Sequence, residues 1–344
     1  MTVLIAGIGG GSLGLEIYKS LRHTGQYRLI GTDISERAFG FGEAGFEKTY
    51  LLSRAGETEY ASRLLEISLQ EKVEAIAPGA EEVHQILSRQ RGMFQSAGIL
   101  PMLNSEEVIE LCSDKFRSLQ FLEEQGIPVP AHKNLAAEEG IGDFKTFPCV
   151  VKPAKASGGS NLVFLAEDET EASFFIQYIR RRGYEPLLQE YIESTDEYTV
   201  GVLSSPSGEI LGSIALRRFL DAKLSYNLRY GDRIISSGWS QGEIDDFEPV
   251  RRQAETIASA LKSRWALNIQ GRLDKRGVFY PFEINPRHSG TTYLRTLADF
   301  NEPDILLKSC LKGHLPPTLP LKKGYYVRGL AETYLPKREI NLYD

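Results

Sequence analysis

Only three cysteines, Cys112, Cys149 and Cys310, occur in the 344 residues. Their odd number and wide separation provide neither a paired disulfide framework nor the close spacing of a zinc site, so they read as reduced, mostly buried thiols. Long apolar runs are also missing. The longest are strand-sized, such as Val3-Leu4-Ile5-Ala6, which excludes a membrane span and a secretory signal and makes cytoplasmic residence the expectation. Positive charge is in deficit: 40 basic residues against 46 acidic ones leave a net charge of -6. No basic patch interleaved with aromatics offsets this, so no nucleic-acid partner is expected. Internal repeats and low-complexity segments are absent as well.

What remains is ordinary globular material, 42% hydrophobic and 25% charged, in a chain long enough for two or three packed subdomains. The first hundred residues alternate strand and helix signals: strands at Val3-Leu4-Ile5-Ala6, 27–33, Lys48-Thr49-Tyr50-Leu51 and Ala75-Ile76-Ala77-Pro78, helices over 13–21, 59–71 and 82–96. This predicts a doubly wound α/β start. Gly9-Gly10-Gly11-Ser12-Leu13-Gly14 fits G-x-G-x-x-G, with Asp33 about 20 residues on, as an NAD-binding unit requires. Short glycine turns also join strands to helices where no pyrophosphate binds. Pro78-Gly79-Ala80-Glu81-Glu82 ends a strand where open sheets place ligands; Glu81 and Glu82 could cap the next helix or touch an amino-bearing substrate. A helix over 106–125 follows, with Ser105 as its N-cap.

The most informative stretch is Phe282-Glu283-Ile284-Asn285-Pro286-Arg287-His288-Ser289-Gly290. Strand side chains alternate faces, so Glu283, Asn285 and Arg287 share one. Asn268-Ile269-Gln270-Gly271-Arg272-Leu273 reads as an antiparallel partner with its turn at Asp274-Lys275-Arg276-Gly277, which brings Gln270 opposite Glu283. Hard oxygen donors suit magnesium completed by phosphate oxygens and water, and the guanidinium can grip a second anion. His288 could serve as a general base, a substrate contact or a packing group. Ser289, Gly290, Thr291 and Thr292 look like a loop and helix start whose amides can receive an anion. Upstream, Cys149-Val150-Val151-Lys152-Pro153 is an apolar strand that delivers a lysine just before Ala154-Lys155-Ala156-Ser157-Gly158-Gly159-Ser160-Asn161. A point charge beside a flexible glycine loop suits phosphate, though the lysine precedes the glycines, unlike a Walker loop. Lys155 could be a second contact or face solvent. Arg217, Arg218, Lys223 and Arg229 could neutralise phosphate, recruit a carboxylate or form a solvated basic loop.

Glu-x-Asn-Pro-Arg after a hairpin resembles the magnesium strand of the ATP-grasp superfamily, and Asn268-Ile269-Gln270 resembles its carbamoyl-phosphate synthase large-chain branch. The resemblance implies a Rossmann-like domain over 1–104, a small lid subdomain of an α+β nucleotide domain over 105–186, its large subdomain over 187–314 and an extension over 315–344. It also implies roles. Gln270 and Glu283 would hold one magnesium or manganese ion, and Glu283 with Asn285 a second. Ser113-Asp114-Lys115-Phe116, ahead of Gly126-Ile127-Pro128-Val129-Pro130, looks like the entrance to the nucleotide domain, with Lys115 reaching the phosphates. Lys152 would bind phosphate under a lid formed by Ser157, Gly158, Gly159 and Ser160, whose closure excludes water. Leu187-Leu188-Gln189-Glu190-Tyr191-Ile192-Glu193 has the form of the hinge: backbone near Tyr191 and Ile192 would meet adenine's edge, Glu190 its amino group, and Glu197 the ribose hydroxyls. Arg287, His288, Ser289 and Gly290 would face substrate, with Arg287 and Lys152 as the catalytic cations. The implied activity is an ADP-forming ligase joining a small-molecule carboxylate to an amine through an acyl phosphate. Phosphorylation of bicarbonate or carbamate ranks second, because the chain reads as a single unit without duplicated halves. A non-catalytic nucleotide-binding regulator is the alternative of another class. The extension contains a strand signal over 324–330, and oligomer contact, as in a homodimer, or simple packing would account for it.

Overall fold

The computed structural model describes residues 1–53, 56–135, 140–155, 162–194, 196–221, 225–230, 233–238, 240–313, 320–335 and 341–343. The early strand signals become Thr2–Ala6, Arg28–Asp33, Lys48–Leu52 and Ala75–Pro78, joined by Leu100–Pro101 in one parallel sheet. Strand order reverses between Thr2–Ala6 and Ala75–Pro78, where an open parallel sheet leaves a crevice at the carboxyl ends of its strands. Two glycine turns meet there. Gly14 N donates to the Gly79 carbonyl at 3.1 Å, and a Cβ on Gly14 would lie 2.0 Å from the Gly7 carbonyl oxygen. The last glycine of the G-x-G-x-x-G pattern thus permits close helix-to-turn packing. Asp33 accepts from Ile8 N at 2.8 Å and Ser35 N at 2.9 Å, so the acid that a dinucleotide site would offer to ribose is engaged by its own backbone.

Three expected elements come out differently. The helix signal over 82–96 divides into Glu81–Arg89 and Arg91–Ser96. That over 106–125 divides into Glu106–Ser113, capped by Ser105, and Lys115–Glu124, capped by Asp114 through Arg117 N. The break has a tertiary cause: Asp114 bridges to Lys155, and Lys115 N donates to the Ala154 carbonyl. The strand signal over 324–330 shortens to Gly324–Tyr326.

A small antiparallel sheet runs in the order His132–Asn134, Pro186–Glu190, Cys149–Pro153, Phe164–Ala166. Ala172, Ile176 and Ile179 of the helix Glu169–Arg181 pack on it against Cys149, Val151, Ala166 and Leu188. Pro186–Glu190 belongs to this sheet, so a boundary at 186 passes through a strand.

The large antiparallel sheet runs Phe279–Asn285, Ala266–Leu273, Glu197–Ser204, Ile210–Arg218, Gly242–Ile244, Gly324–Tyr326. Alternation sorts its central strand: Tyr198, Val200 and Val202 join Val250, Ala254, Ile257 and Ala258 of the helix Glu248–Ala260 in one core, leaving Glu197, Thr199 and Gly201 for the opposite face. There the helices Thr292–Leu297 and Glu302–Lys312 pack against Leu13–Thr24 of the first domain; Thr296 Oγ1 donates to Ser20 Oγ at 2.8 Å and Tyr27 OH to Asp304 at 2.7 Å. The C-terminal segment reaches two of the sheets: Gly324–Tyr326 edges the large one, and Asn341–Tyr343 pairs in parallel with Lys48–Leu52 of the first. No described helix is long and apolar enough to cross a membrane.

Candidate active site

The hairpin forms in the register that places Gln270 opposite Glu283 and Asn268 opposite Asn285. Strict alternation fails at one point. Gln270 pairs with Glu283 but Gly271 with Pro281, so Phe282 is left without a partner as a β-bulge. The bulge turns the Phe282 carbonyl out of the ladder, where it accepts from Lys152 Nζ at 2.9 Å. Lys152 is buried, and this bond joins the small sheet to the hairpin of Ala266–Leu273 and Phe279–Asn285. Burial pulls the Lys152 ammonium down to about 7; Lys115 pushes the same way, and Glu283 partly offsets both.

Around this bond lies a cleft of about 790 Å³, counted out to open solvent, whose walls include Lys115, Lys152, Gln189, Glu190, Tyr191, Ile192, Gln270 and Glu283. Residues distant in sequence therefore converge. Lys115 is carried in by its backbone bond to the Ala154 carbonyl, and Asp114 holds Lys155 at 3.2 Å. Ser157, Gly158, Gly159, Ser160 and Lys223 lie outside the described residues, and of Arg229 only the backbone, within Ser225–Tyr230, is described.

The segment Glu190-Tyr191-Ile192 is pinned. Glu190 accepts from Ala131 N at 3.0 Å, Tyr191 N donates to the Pro148 carbonyl at 3.1 Å, and the Ile192 carbonyl accepts from Arg272 at 3.3 Å. The Tyr191 amide is thus already engaged, while the Ile192 carbonyl keeps a second lone pair. Gln189, which the sequence reading passed over, lies on the cleft wall with an Nε2 donor that has no partner among the described residues. A buried orphan donor needs a partner, and a ligand in the cleft would supply one. Its signal was only its place one residue ahead of Glu190.

Glu197, for which the resemblance implies a contact to the ribose hydroxyls, lines the same cleft with its carboxylate paired. It is buried between Arg218, bonded to Oε1, and Arg272, which reaches Oε2 through Nε at 3.0 Å and Nη2 at 2.9 Å. Arg272 also lies over the Tyr191 ring at 4.3 Å and donates to the Ile234 carbonyl at 2.7 Å. Glu197 and Arg272 both line the cleft, and each Glu197 carboxylate oxygen accepts from an arginine. Arg217 pairs with Glu243 and stacks on Phe247, away from a solvated loop.

Beyond Asn285 the predicted substrate residues separate. Arg287 donates to Glu81 at 2.8 Å, to Asn285 Oδ1 at 3.3 Å and to the His288 carbonyl at 3.0 Å. His288 and Ser289 turn inward. His288 Nδ1 lies 3.4 Å from Glu302, which also binds Arg295 at 2.7 Å and Thr292 Oγ1 at 2.9 Å. Arg295 in turn donates to Asn268 Oδ1 at 2.7 Å and Thr199 Oγ1 at 3.1 Å, behind the hairpin. Burial raises the Glu302 carboxyl, but Arg295 and His288 outweigh it and leave it at about 2. His288 thus joins this buried network through Nδ1, while its Nε2 has no partner among the described residues. Three of the four amides expected to receive an anion are used within the turn: Ser289 N donates to Thr292 Oγ1, Thr291 N to Ser289 Oγ, and Thr292 N to the Ser289 carbonyl.

Fold and cleft together define a nucleotide-binding protein in which a small sheet and a large sheet close on one pocket. An ATP-grasp domain model matches residues 112–291, just over half of the chain, and the chain belongs to that family. It is 25% identical over 256 residues to a carbamoyl phosphate synthase large chain of Thermoplasma acidophilum, covering 70% of this chain and 23% of that one. It is 22% identical over 256 residues to a carbamoyl-phosphate synthase of Methanobrevibacter smithii, covering 67% and 62% respectively. The chain thus spans about a quarter to three-fifths of these relatives' length. Among solved structures, an L-amino acid ligase from Bacillus licheniformis superposes with a TM-score of 0.67 at 16% identity, over 90% of this chain and 74% of that one, which shows a shared fold.

Proposed function

We propose that this chain is an ADP-forming carboxylate–amine ligase that activates its carboxylate as an acyl phosphate. The observation that carries the reading is Lys152, a buried ammonium held at the bulge carbonyl of Phe282 in the same cleft as Glu283 and Gln270. A cation facing hard oxygen donors is what the transferred phosphoryl group of a nucleotide needs.

Gln270, Glu283 and Asn285 are the residues that would hold magnesium or manganese. Among the described residues no three acidic, histidine or cysteine side chains gather into a metal cluster, so the donor set is one carboxylate with two amide oxygens. That set fits a hard cation whose shell is completed by phosphate oxygens and water. Such an ion, when bound, neutralises phosphate charge and makes the phosphorus more electrophilic.

The carboxylate oxygen attacks the γ-phosphorus of ATP in line, the bond from that phosphorus to the β-bridging oxygen breaks, and ADP leaves. Lys152 and Lys115 stabilise the charge on the transferred group, while Arg287 steadies the acyl phosphate. The amine then attacks the acyl carbon, inorganic phosphate departs with the C–O bonding pair, and the surplus amine proton passes to solvent. Rate enhancement comes from positioning and electrostatics, with little side-chain acid–base work. Gln189 Nε2 offers its unpaired hydrogen bond to the nucleobase.

Sequence likeness to carbamoyl phosphate synthases supports a second reading, in which bicarbonate or carbamate is the phosphoryl acceptor. A screen for ADP release over carboxylates crossed with amines, bicarbonate included, separates the two. The ligase reading expects release that requires a carboxylate, an amine and a divalent cation together. Lys152→Ala and Glu283→Gln should each lower it by roughly 100-fold or more while the far-ultraviolet dichroism is unchanged. Full activity in the Glu283 variant would contradict the metal assignment.

A further inference from the structure

Three buried arginines, Arg218, Arg272 and Arg295, reach their carboxylate partners within the large subdomain, in pairs no more than 5% exposed. Arg287 is different. Its partner, Glu81, comes from the first domain, where it opens the helix Glu81–Arg89 just after Pro78-Gly79-Ala80, and the side chains are 25% and 48% exposed. The pair therefore stands open to solvent at the crevice where strand order reverses. It also lies within electrostatic reach of the nucleotide cleft. Burial raises the Glu81 carboxyl, but Arg287 first, with His84 and the cleft residue Lys115 behind it, outweighs burial and holds the group below the usual carboxylate range.

A simple carboxylate that binds Arg287 either competes with Glu81 for its Nε–H or takes the remaining N–H donors, and in both cases leaves two carboxylates around one guanidinium. Like charges at that distance repel, and the ligand has nothing to offer Glu81. An α-amino acid carries its own cation two bonds from its carboxyl group. Its carboxylate can take Arg287 while its ammonium takes Glu81, so that both protein charges are paired again. Bicarbonate has no cation with which to do this.

We propose that the carboxylate activated here is that of an α-amino acid, with Arg287 receiving its carboxylate and Glu81 its ammonium. This deepens the ligase reading and rests on it. Held as a cation by Glu81, the donor's own nitrogen has no lone pair for attack, so the donor reacts through its carboxylate: an oxygen–phosphorus bond forms, the bond to the β-bridging oxygen breaks, and ADP departs. The nucleophilic amine must come from a second molecule.

The test uses the full chain with magnesium and ATP. ADP release is measured with each of the proteinogenic amino acids in pairs, and with the matching des-amino acid of each active donor. The expected result is that at least one amino acid is a donor with kcat/KM at least tenfold above its des-amino analogue. Glu81→Gln should raise its KM by tenfold or more and shrink the preference over the des-amino acid to under threefold, with MgADP affinity unchanged. Glu81→Asp should recover part of the preference. Des-amino acids or bicarbonate matching every amino acid, or a preference untouched in Glu81→Gln, would overturn the proposal. If nothing in the panel releases ADP although MgADP binds, the ligase reading fails and calorimetry decides the receptor: amino acids titrated into the MgADP-bound protein should bind, and bind at least tenfold more weakly to Glu81→Gln. Absence of binding, or equal binding to both proteins, would overturn the receptor as well.

Discussion

Arg328 donates to both carboxylate oxygens of Glu16, at 2.9 and 3.0 Å. One partner belongs to the C-terminal segment and the other to the first helix, and between them lies the loop that follows Arg287. The Gly290 carbonyl accepts from Arg328, and Tyr293 N donates to Glu16 at 3.2 Å. Arg328 is also seated on the Ser240 carbonyl at 3.1 Å and, through its backbone, on Gln241 Oε1 at 2.9 Å. The C-terminal segment thus clamps the turn that carries Arg287 from outside the span of the family model.

Arg328→Ala leaves the buried Glu16 with only the looser Lys19 contact at 4.0 Å as a countercharge, which should lower stability by roughly 3 kcal/mol. Hydrogen exchange should quicken at Gly290 through Tyr293 while the strand Thr2–Ala6 keeps its protection. Mass spectrometry of deuterated peptides checks both, and uniform exchange across the chain would show a general rather than a local effect.

The Lys152 ammonium, drawn down to about 7, makes nucleotide binding pH-dependent. A triphosphate favours the charged form, so binding near neutrality should take up a proton, and affinity should fall as pH rises above about 7, with a limiting slope of about tenfold per unit. For the free protein the sign runs the other way. Unfolded Lys152 keeps its proton up to its ordinary range, so this group alone makes stability rise with pH between about 7 and that range. Calorimetry in buffers of different ionisation enthalpy measures the proton uptake, and Lys152→Met should abolish it.

On the proposed assignment, one carboxylate and two amides would make a weak bare metal site. Manganese, followed by electron paramagnetic resonance, should bind at least tenfold more tightly when ADP is present than when it is absent. Gln270→Glu adds a second carboxylate opposite Glu283 and should narrow that difference by strengthening the nucleotide-free site. Tight nucleotide-independent binding in the natural protein would point to donors other than Gln270, Glu283 and Asn285.

Much of this architecture could be read before any coordinates. The alternation of Glu283 with Asn285 and the turn ahead of them sufficed for the hairpin and its register, because period-two patterning and a short turn are local properties. Lys152 at the end of an apolar strand was legible for the same reason. The bulge at Phe282 was not, since an extra residue leaves the apolar pattern almost unchanged and is visible only once both strands are paired. Nor was the helix break at Asp114, where the local period runs on and a contact with Lys155 interrupts it.

Long-range charge pairing accounts for the remaining surprises. Glu197 lines the cleft, and two arginines from other strands pair with its carboxylate there; His288 sits beside Arg287, yet Glu302 draws its Nδ1 inward. Local sequence carries the spacing of donors along a strand, and with it the kind of ligand they suit. Which of those donors stay free to meet a ligand depends on countercharges brought in from more than ten or even two hundred residues away, as Glu302 is to His288 and Glu81 to Arg287, and only the folded chain makes those pairs.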